Sequence, residues 1–137
     1  MIDEKKAVEI LRSECTEIAP RWKDHIEFWG DDEAGFYNDA AVCAHYVVDQ
    51  HKKNRVSDFP CIFNAVENII NIGTEEARGV IIVGFLEAIQ NIASHKDYGA
   101  TVFEKWLGIT SRQAWVELNH LWSGKSSLAD IIRSQKE

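Results

Sequence analysis

The residues of this sequence that could perform chemistry are few and occur in short pairs. His45 and Asp49 are four positions apart, a spacing that on a helix lets a carboxylate orient an imidazole for acid–base catalysis. Glu117 and His120 are also one helical turn apart. Such pairs are common on solvated helix surfaces, so we interpret both as surface polar pairs.

Glu87 is the most informative ionisable residue, because it directly follows the apolar run Gly79–Leu86. We expect a partly buried carboxylate there, which needs a cation or several hydrogen-bond donors to stay charged. Without them its pKa rises toward the range of a general acid. No second carboxylate completes a hydrolytic dyad, and no nucleophile motif occurs. We therefore predict no catalytic residue, and keep an enzyme that uses Glu87 as an alternative to a structural role for this residue.

The sequence lacks the spacings that hold metals, nucleotides and nucleic acids. Cys15, Cys43 and Cys61 are an odd number at wide spacing, and we predict buried free thiols in helical segments. Neither CxxC nor HExxH occurs, and no glycine-rich phosphate loop is present. The longest basic cluster, residues 52–55, is too short to follow a phosphate backbone. We predict no cofactor, no metal and no direct nucleic-acid binding.

Negative charge is concentrated near the N-terminus. The net charge is -7, and residues 1–33 carry -5 of it, with ten acidic and five basic side chains. An acidic surface attracts basic proteins and speeds their encounter by electrostatic steering. The alternative is a helix cap with a solvated face. We predict that a basic protein partner is bound by Asp24, Glu27, Asp31, Asp32 and Glu33.

The elements that must position these residues are helices. Hydrophobic residues make up 45% of the 137-residue chain and recur with helical spacing from end to end, without convincing strand alternation. We predict an all-α fold, a single domain over residues 1–137 and an irregular bundle of six to seven helices. Stacked antiparallel helical pairs are the alternative. The tail from about Ser134 is expected to fray.

Local signals predict where several helices begin and end. The first helix should run from about Asp3 to Pro20, and Asp31 or Asp32 should cap a later one. That helix is predicted to bury Tyr37, Ala41, Ala44 and Val48.

A central antiparallel pair is predicted over residues 57–92, with Pro60 in its first turn and a tight link at Gly73-Thr74. Gly79 and Gly84 should allow a neighbouring helix to approach closely. Thr110 or Ser111 should open the next helix, and a last short helix should carry Leu128, Ile131 and Ile132.

The sequence offers no membrane span and no secretion signal. Its longest apolar run has eight residues, whereas a bilayer requires about 20. The charged start MIDEKK lacks the apolar segment of a signal peptide. We expect a cytosolic protein without membrane contact.

Residues 63–122 resemble an uncharacterised family of small all-helical bacterial proteins, some of which are similar to immunity proteins of toxin systems. The resemblance lies in residues 73–76, residues 84–87 with Gln90-Asn91, and Leu107-Gly108 followed by Ser111 and Trp115. It implies a helical binding protein that neutralises a toxin, and no catalytic role accompanies it.

The favoured function is therefore a non-catalytic immunity protein that covers the active site of a basic toxin. We expect this toxin to be a nuclease, because proteins that act on nucleic acids bind phosphates with basic surfaces. Its small size, acidic charge and lack of catalytic motifs agree with that reading. A general helical adaptor is the alternative from another functional class. The sequence does not determine an oligomeric state.

Overall fold

The computed structural model describes the backbone of residues 1–122 and the side chains of residues 1–120. The helices are α1 (Glu4–Ser13), α2 (Ala19–Trp29), α3 (Phe36–Lys52), α4 (Phe59–Ile72), α5 (Glu75–Gly79), a π-helix (Val80–Glu87), α6 (Ala88–Ala93), a 3₁₀ helix (Thr101–Trp106) and α7 (Ile109–Trp122). The all-α prediction is confirmed. The predicted last helix at 128–132 and the frayed tail lie outside the described residues.

The N-terminal segment is tied to the link between α4 and α5. Within residues 1–122 the only β-type pairing is a single bridge between Ile2 and Gly73. There the Thr74 N–H donates to the Ile2 carbonyl at 2.9 Å. Among these residues no helix combines the length and the hydropathy that a bilayer span requires.

Proline and capping side chains explain several helix starts. Asp3 Oδ1 accepts from the Lys6 N–H at 2.9 Å, and Thr74 Oγ1 accepts from the Ala77 N–H at 3.1 Å. Pro60 lies in the first turn of α4, as predicted. Pro20 does not end α1, which stops at Ser13, but occupies the first turn of α2.

A continuous helical segment, residues 75–93, forms the centre of the fold, and its middle is the π-helix. The π-helix buries Val80, Ile81, Phe85 and Leu86 completely. Its most extensive contacts are with α3, so the predicted pairing with α4 as the central contact is wrong. The predicted close approach is found at Gly84, where a Cβ would lie 3.0 Å from Ala40 Cβ.

Helix α3 is buried on a broader surface than its sequence predicts, because α1, the π-helix and α6 all pack against it. Ala44 and Val48 are buried as expected, but Tyr37 is exposed and Ala41 is only partly covered. The predicted cap is wrong as well. Gly35 occupies the N-cap position, and no side chain caps this helix.

Two carboxylates accept hydrogen bonds from parts of the chain that are distant from them in sequence. Glu67 of α4 accepts the N–H groups of Thr110 at 2.9 Å and Ser111 at 2.8 Å, so it caps α7. A Cβ at Gly108 would lie 2.5 Å from Glu67 Cδ, so this contact requires glycine there. Burial alone would raise the pKa of Glu67, but the donated hydrogen bonds lower it. The helix begins at Ile109, one residue before the predicted start at Thr110 or Ser111, and Ser111 Oγ accepts from the Gly108 N–H at 2.9 Å.

Asp58 is the second connecting carboxylate. It accepts from the Thr16 N–H at 3.0 Å, from Thr16 Oγ1 at 2.8 Å and from Tyr46 Oη at 2.7 Å. It thereby joins the α1–α2 connection to α3 and to the start of α4. Burial opposes these bonds, but their net effect is to lower the pKa of Asp58.

Candidate functional site

The five predicted partner-binding residues lie on α2 and on the connection that follows it. Asp24 and Glu27 are exposed on α2, and the other three are exposed within residues 30–35. We call this set the acidic α2 surface: Asp24, Glu27, Asp31, Asp32 and Glu33. In the part of the chain that the structure describes, none of the five belongs to an ion pair. Their charge is therefore available to a partner.

Two glycines shape the connection that carries three of these acids. Gly30 has a φ of 57° and Gly35 a φ of 86°, backbone conformations that L side chains rarely adopt. The Gly30 N–H still donates to the Ile26 carbonyl at 3.0 Å, which ends α2. The chain can therefore leave α2 and enter α3 within residues 30–35 while the acidic side chains stay in solvent.

Helix α2 exposes large apolar side chains beside the acids. No residue of α2 is buried, and Phe28 is 82% and Ile26 55% exposed. Phe28 follows Asp24 by four positions, so the two side chains share one face of the helix. Trp22 and Trp29 of the same helix are partly buried, so the exposed apolar surface consists of Ile26 and Phe28.

Polar contacts attach α2 to the rest of the molecule. Arg21 forms an ion pair with Asp49 of α3. His25 Nε2 lies 2.8 Å from Asp39 Oδ1, also on α3. These contacts hold the helix in place while its outer face remains open.

His45 and Asp49, interpreted from the sequence as a surface pair, form no hydrogen bond or ion pair with each other, and Asp49 binds Arg21 instead. Partial burial lowers the pKa of His45 and the positive charge of Arg21 lowers it further, while the charge of Asp49 opposes both effects. No hydrogen bond to a carboxylate of the described chain orients His45 as a base.

A groove lies between α1, α2 and the start of α3. It has a volume of about 480 Å³, and its walls include Trp22, His25 and Trp29 of α2 together with Phe36 of α3. The His25 ring centre lies 5.3 Å from that of Trp22 and 6.5 Å from that of Trp29. We call this the α1–α2 groove. Of the acidic α2 surface, only Asp32 and Glu33 line it.

Glu87 is partly buried at the end of the π-helix, as the sequence predicts. Burial raises its pKa. Its Oε2 is buried and has no hydrogen-bond partner among the described residues. No other ionisable group of the described chain contributes to this pKa shift.

The cysteines differ from the expectation at two positions. Cys15 and Cys43 are buried, but Cys61 is exposed on the first turn of α4. Cys15 lies just beyond α1 rather than in a helix. A hydrogen bond with Cys43 and burial raise the pKa of the Cys15 thiol. Among residues 1–120 no three His, Cys, Asp or Glu side chains form a group that could hold a metal ion.

Comparison with known families identifies the domain type. A model of a domain of unknown function, DUF7674, matches residues 8–123. The chain belongs to the DUF7674 family. Searches of the curated proteins and of the solved structures found no match. The matched region of this DUF7674 domain contains the acidic α2 surface, the α1–α2 groove and Glu87.

Sequence reasoning found the acids of this DUF7674 domain but missed the groove beside them. Its signal was the spacing of Trp22, His25 and Trp29, which places three rings on one face of a helix. In a sequence, such tryptophans are typical of core residues, because large aromatic side chains are usually buried. Arg21 and His25 attach α2 through Asp49 and Asp39, which lie on another helix. No local sequence pattern indicates these partners.

Proposed function

We propose that this chain is a non-catalytic protein-binding domain that binds a basic protein through the acidic α2 surface. The proposal rests on the exposure of α2. This helix has no buried residue, and its Phe28 lies in solvent on the same face as Asp24. Exposed aromatic side chains supply most of the binding energy in many interfaces. Surrounding carboxylates speed the encounter with a basic partner and select against acidic ones.

Within this proposal the partner is a nuclease toxin, which the chain inhibits in the cytoplasm by covering its active site. The resemblance of residues 63–122 to immunity-protein-like sequences supports this form of the proposal. Enzymes that act on nucleic acids bind phosphates with basic clefts, and an acidic surface is complementary to such a cleft. The chain would then compete with the nucleic acid for the same charged groups.

The proposal is tested by co-expression with the cytotoxic domain encoded beside the chain's own gene. We expect the wild-type chain to restore growth. Replacement of Asp31, Asp32 and Glu33 by lysine should abolish protection, because the three reversed charges would repel a basic partner. Association should also slow with added salt, since the Debye length falls from about 10 Å at 0.1 M to about 3 Å at 1 M.

A matched variant separates the surface from the overall charge. Replacement of Glu76, Asp97 and Glu117 by lysine makes the same change in net charge at exposed positions away from α2. This variant should still protect. Equal loss in both triple variants would remove the acidic α2 surface from the mechanism. Binding without any protection by the wild type would indicate an adaptor instead of an immunity protein.

The contribution of the apolar side chain is tested separately. Phe28→Ser should weaken binding by about 2 kcal/mol or more, mainly through faster dissociation. Ile109→Ser is the control, because Ile109 is 80% exposed but lies at the start of α7. Calorimetry with the purified partner measures both. An equal effect of the two variants would contradict a contact at Phe28.

A further inference from the structure

The walls of the α1–α2 groove combine aromatic rings with carboxylates. Trp29 and Phe36 supply ring surfaces, and Glu9, Asp32 and Glu33 supply negative charge. In residues 1–120 none of these three carboxylates forms an ion pair. Asp39 also lines the groove, but it is already engaged by His25.

The groove also contains two cations of the chain itself, Lys5 and Arg12. The Arg12 guanidinium lies 4.5 Å from the centre of the Trp22 ring, in a cation–π contact. The chain thus shows that an indole of this groove binds a guanidinium. Trp29 has no such cation in the described part of the chain, and its ring contacts are with His25 and Phe28.

We infer that the α1–α2 groove receives an arginine side chain of the basic partner, which would stack on Trp29 and pair with Asp32 and Glu33. The inference rests on the proposed function, since it identifies what the partner inserts beside the acidic α2 surface. The volume of about 480 Å³ lies within the range of ligand pockets and exceeds the needs of one side chain.

Arginine fits this groove better than lysine for a geometric reason. The planar guanidinium can stack on a ring and donate two parallel hydrogen bonds to a carboxylate, whereas an ammonium is a strongly hydrated point charge. Both features of arginine are matched here, because rings and unpaired carboxylates line the same groove.

A small probe tests the inference without the partner protein. N-acetyl-arginine amide is titrated into the ¹⁵N-labelled chain, and the indole N–H signals of Trp22 and Trp29 are followed by NMR. We expect saturable shifts of these two signals, with a dissociation constant in the millimolar range and little change at Trp106 or Trp115. N-acetyl-citrulline amide has nearly the same shape without the charge and should not bind. Equal responses to arginine, citrulline and lysine amides would overturn the inference.

Two isosteric double variants locate the site. Asp32→Asn with Glu33→Gln should weaken arginine-amide binding by about tenfold, because charge-assisted hydrogen bonds are lost. Glu76→Gln with Asp97→Asn removes the same charge at exposed positions outside the groove and should leave the dissociation constant within about twofold. The same weakening in both variants would show a nonspecific charge effect and overturn the inference.

The test of the groove and the test of the proposed function can fail independently. Binding of arginine amide at Trp22 and Trp29 by a chain that binds no toxin would support the groove assignment and contradict the immunity proposal. Toxin binding that persists in the Asp32→Asn, Glu33→Gln variant, with no response to arginine amide, would overturn the groove assignment alone.

Discussion

At the scale of single residues, the surroundings of Glu87 do not stabilise the charged form of its carboxylate. Its Oε2 is buried without a hydrogen bond in the described part of the chain, and no counter-ion contributes to its shift. A carboxylate of this kind is tolerated when it can take up a proton. Gln90 is uncharged and is satisfied on one side only, since its Nε2 donates to the Trp115 carbonyl at 3.0 Å while its Oε1 is also buried without a partner among the described residues.

Glu87→Gln should therefore raise the free energy of unfolding at neutral pH. Burial raises the pKa of Glu87, so its favourable contribution is complete below the unfolded pKa of about 4.3 and is lost as the pH rises through the folded value. The stability difference between variant and wild type should widen from acid to neutral pH. Thermal unfolding across this range measures it. A difference independent of pH would show that Glu87 does not change protonation on folding.

Exposed Glu117→Gln is the control for that comparison and should show no widening. The same pair of variants also tests the catalytic alternative. Hydrolysis of a nucleotide, nucleic acid or ester by the wild type, lost in Glu87→Gln while the fold persists, would contradict a non-catalytic function.

At the scale of the elements, Gly84 determines how closely α3 and the π-helix pack. An added Cβ would lie 3.1 Å from the Tyr37 carbonyl oxygen and 3.2 Å from Tyr37 Cα, both backbone atoms. Gly84→Ala should lower the free energy of unfolding by about 1–3 kcal/mol through overpacking, although alanine normally favours a helix by about 1 kcal/mol. Urea denaturation measures the change.

Gly79→Ala is the matched substitution on the same helical segment. Its Cβ would meet only Tyr37 Oη, at 3.1 Å, and Tyr37 is an exposed side chain that can move. Stability should stay the same or rise by up to about 1 kcal/mol. If Gly84→Ala stabilises as much as Gly79→Ala, α3 is not in tight contact at Gly84.

The same elements show what the sequence could and could not predict. The break at Gly73-Thr74 and the start of α4 near Pro60 were predictable, because each depends on neighbours along the chain. The capping of α7 was not, because Glu67 reaches it from another helix. The π-helix was also missed, since its apolar residues fit a buried α-helix equally well.

Some features of the candidate site could also be predicted from the sequence, and others could not. Its acids follow directly from charge counting, and their exposure follows from the short connection between α2 and α3. The groove requires Arg21 and His25 to place α2 against α3, and the contact of Arg12 with Trp22 to join α1 to α2. Such contacts between distant residues leave no periodic pattern in the sequence.

At the scale of the whole molecule, acid should weaken the fold through the carboxylates that connect its parts. Hydrogen bonds hold the pKa values of Asp58 and Glu67 below their usual range, against the opposing effect of burial. Their stabilisation is present above the unfolded pKa values, about 3.9 and 4.3, and is lost as the pH falls through the folded values. Asp58→Asn with Glu67→Gln should flatten the fall in stability between about pH 5 and pH 2.

His51 should cause a further loss of folding stability, which begins at a higher pH than the loss from Asp58 and Glu67. Burial lowers its pKa, so its contribution begins to fall below the unfolded value of about 6.5. Chemical denaturation at a series of pH values resolves both ranges. An unchanged acid slope in the double carboxylate variant would show that Asp58 and Glu67 do not determine acid stability.

Because α2 buries no residue, it should unfold locally at a lower free energy than α3 or the π-helix. A helix attached by the ion pair of Arg21, the contact of His25 and the partly buried Trp22 can detach while α3 and the π-helix stay packed, whereas those two exchange only when the core opens. Its backbone amides should therefore exchange with deuterium through a local opening of lower free energy than global unfolding. A bound partner would suppress that opening, so slowed exchange confined to α2 and residues 30–35 would trace the interface on the chain.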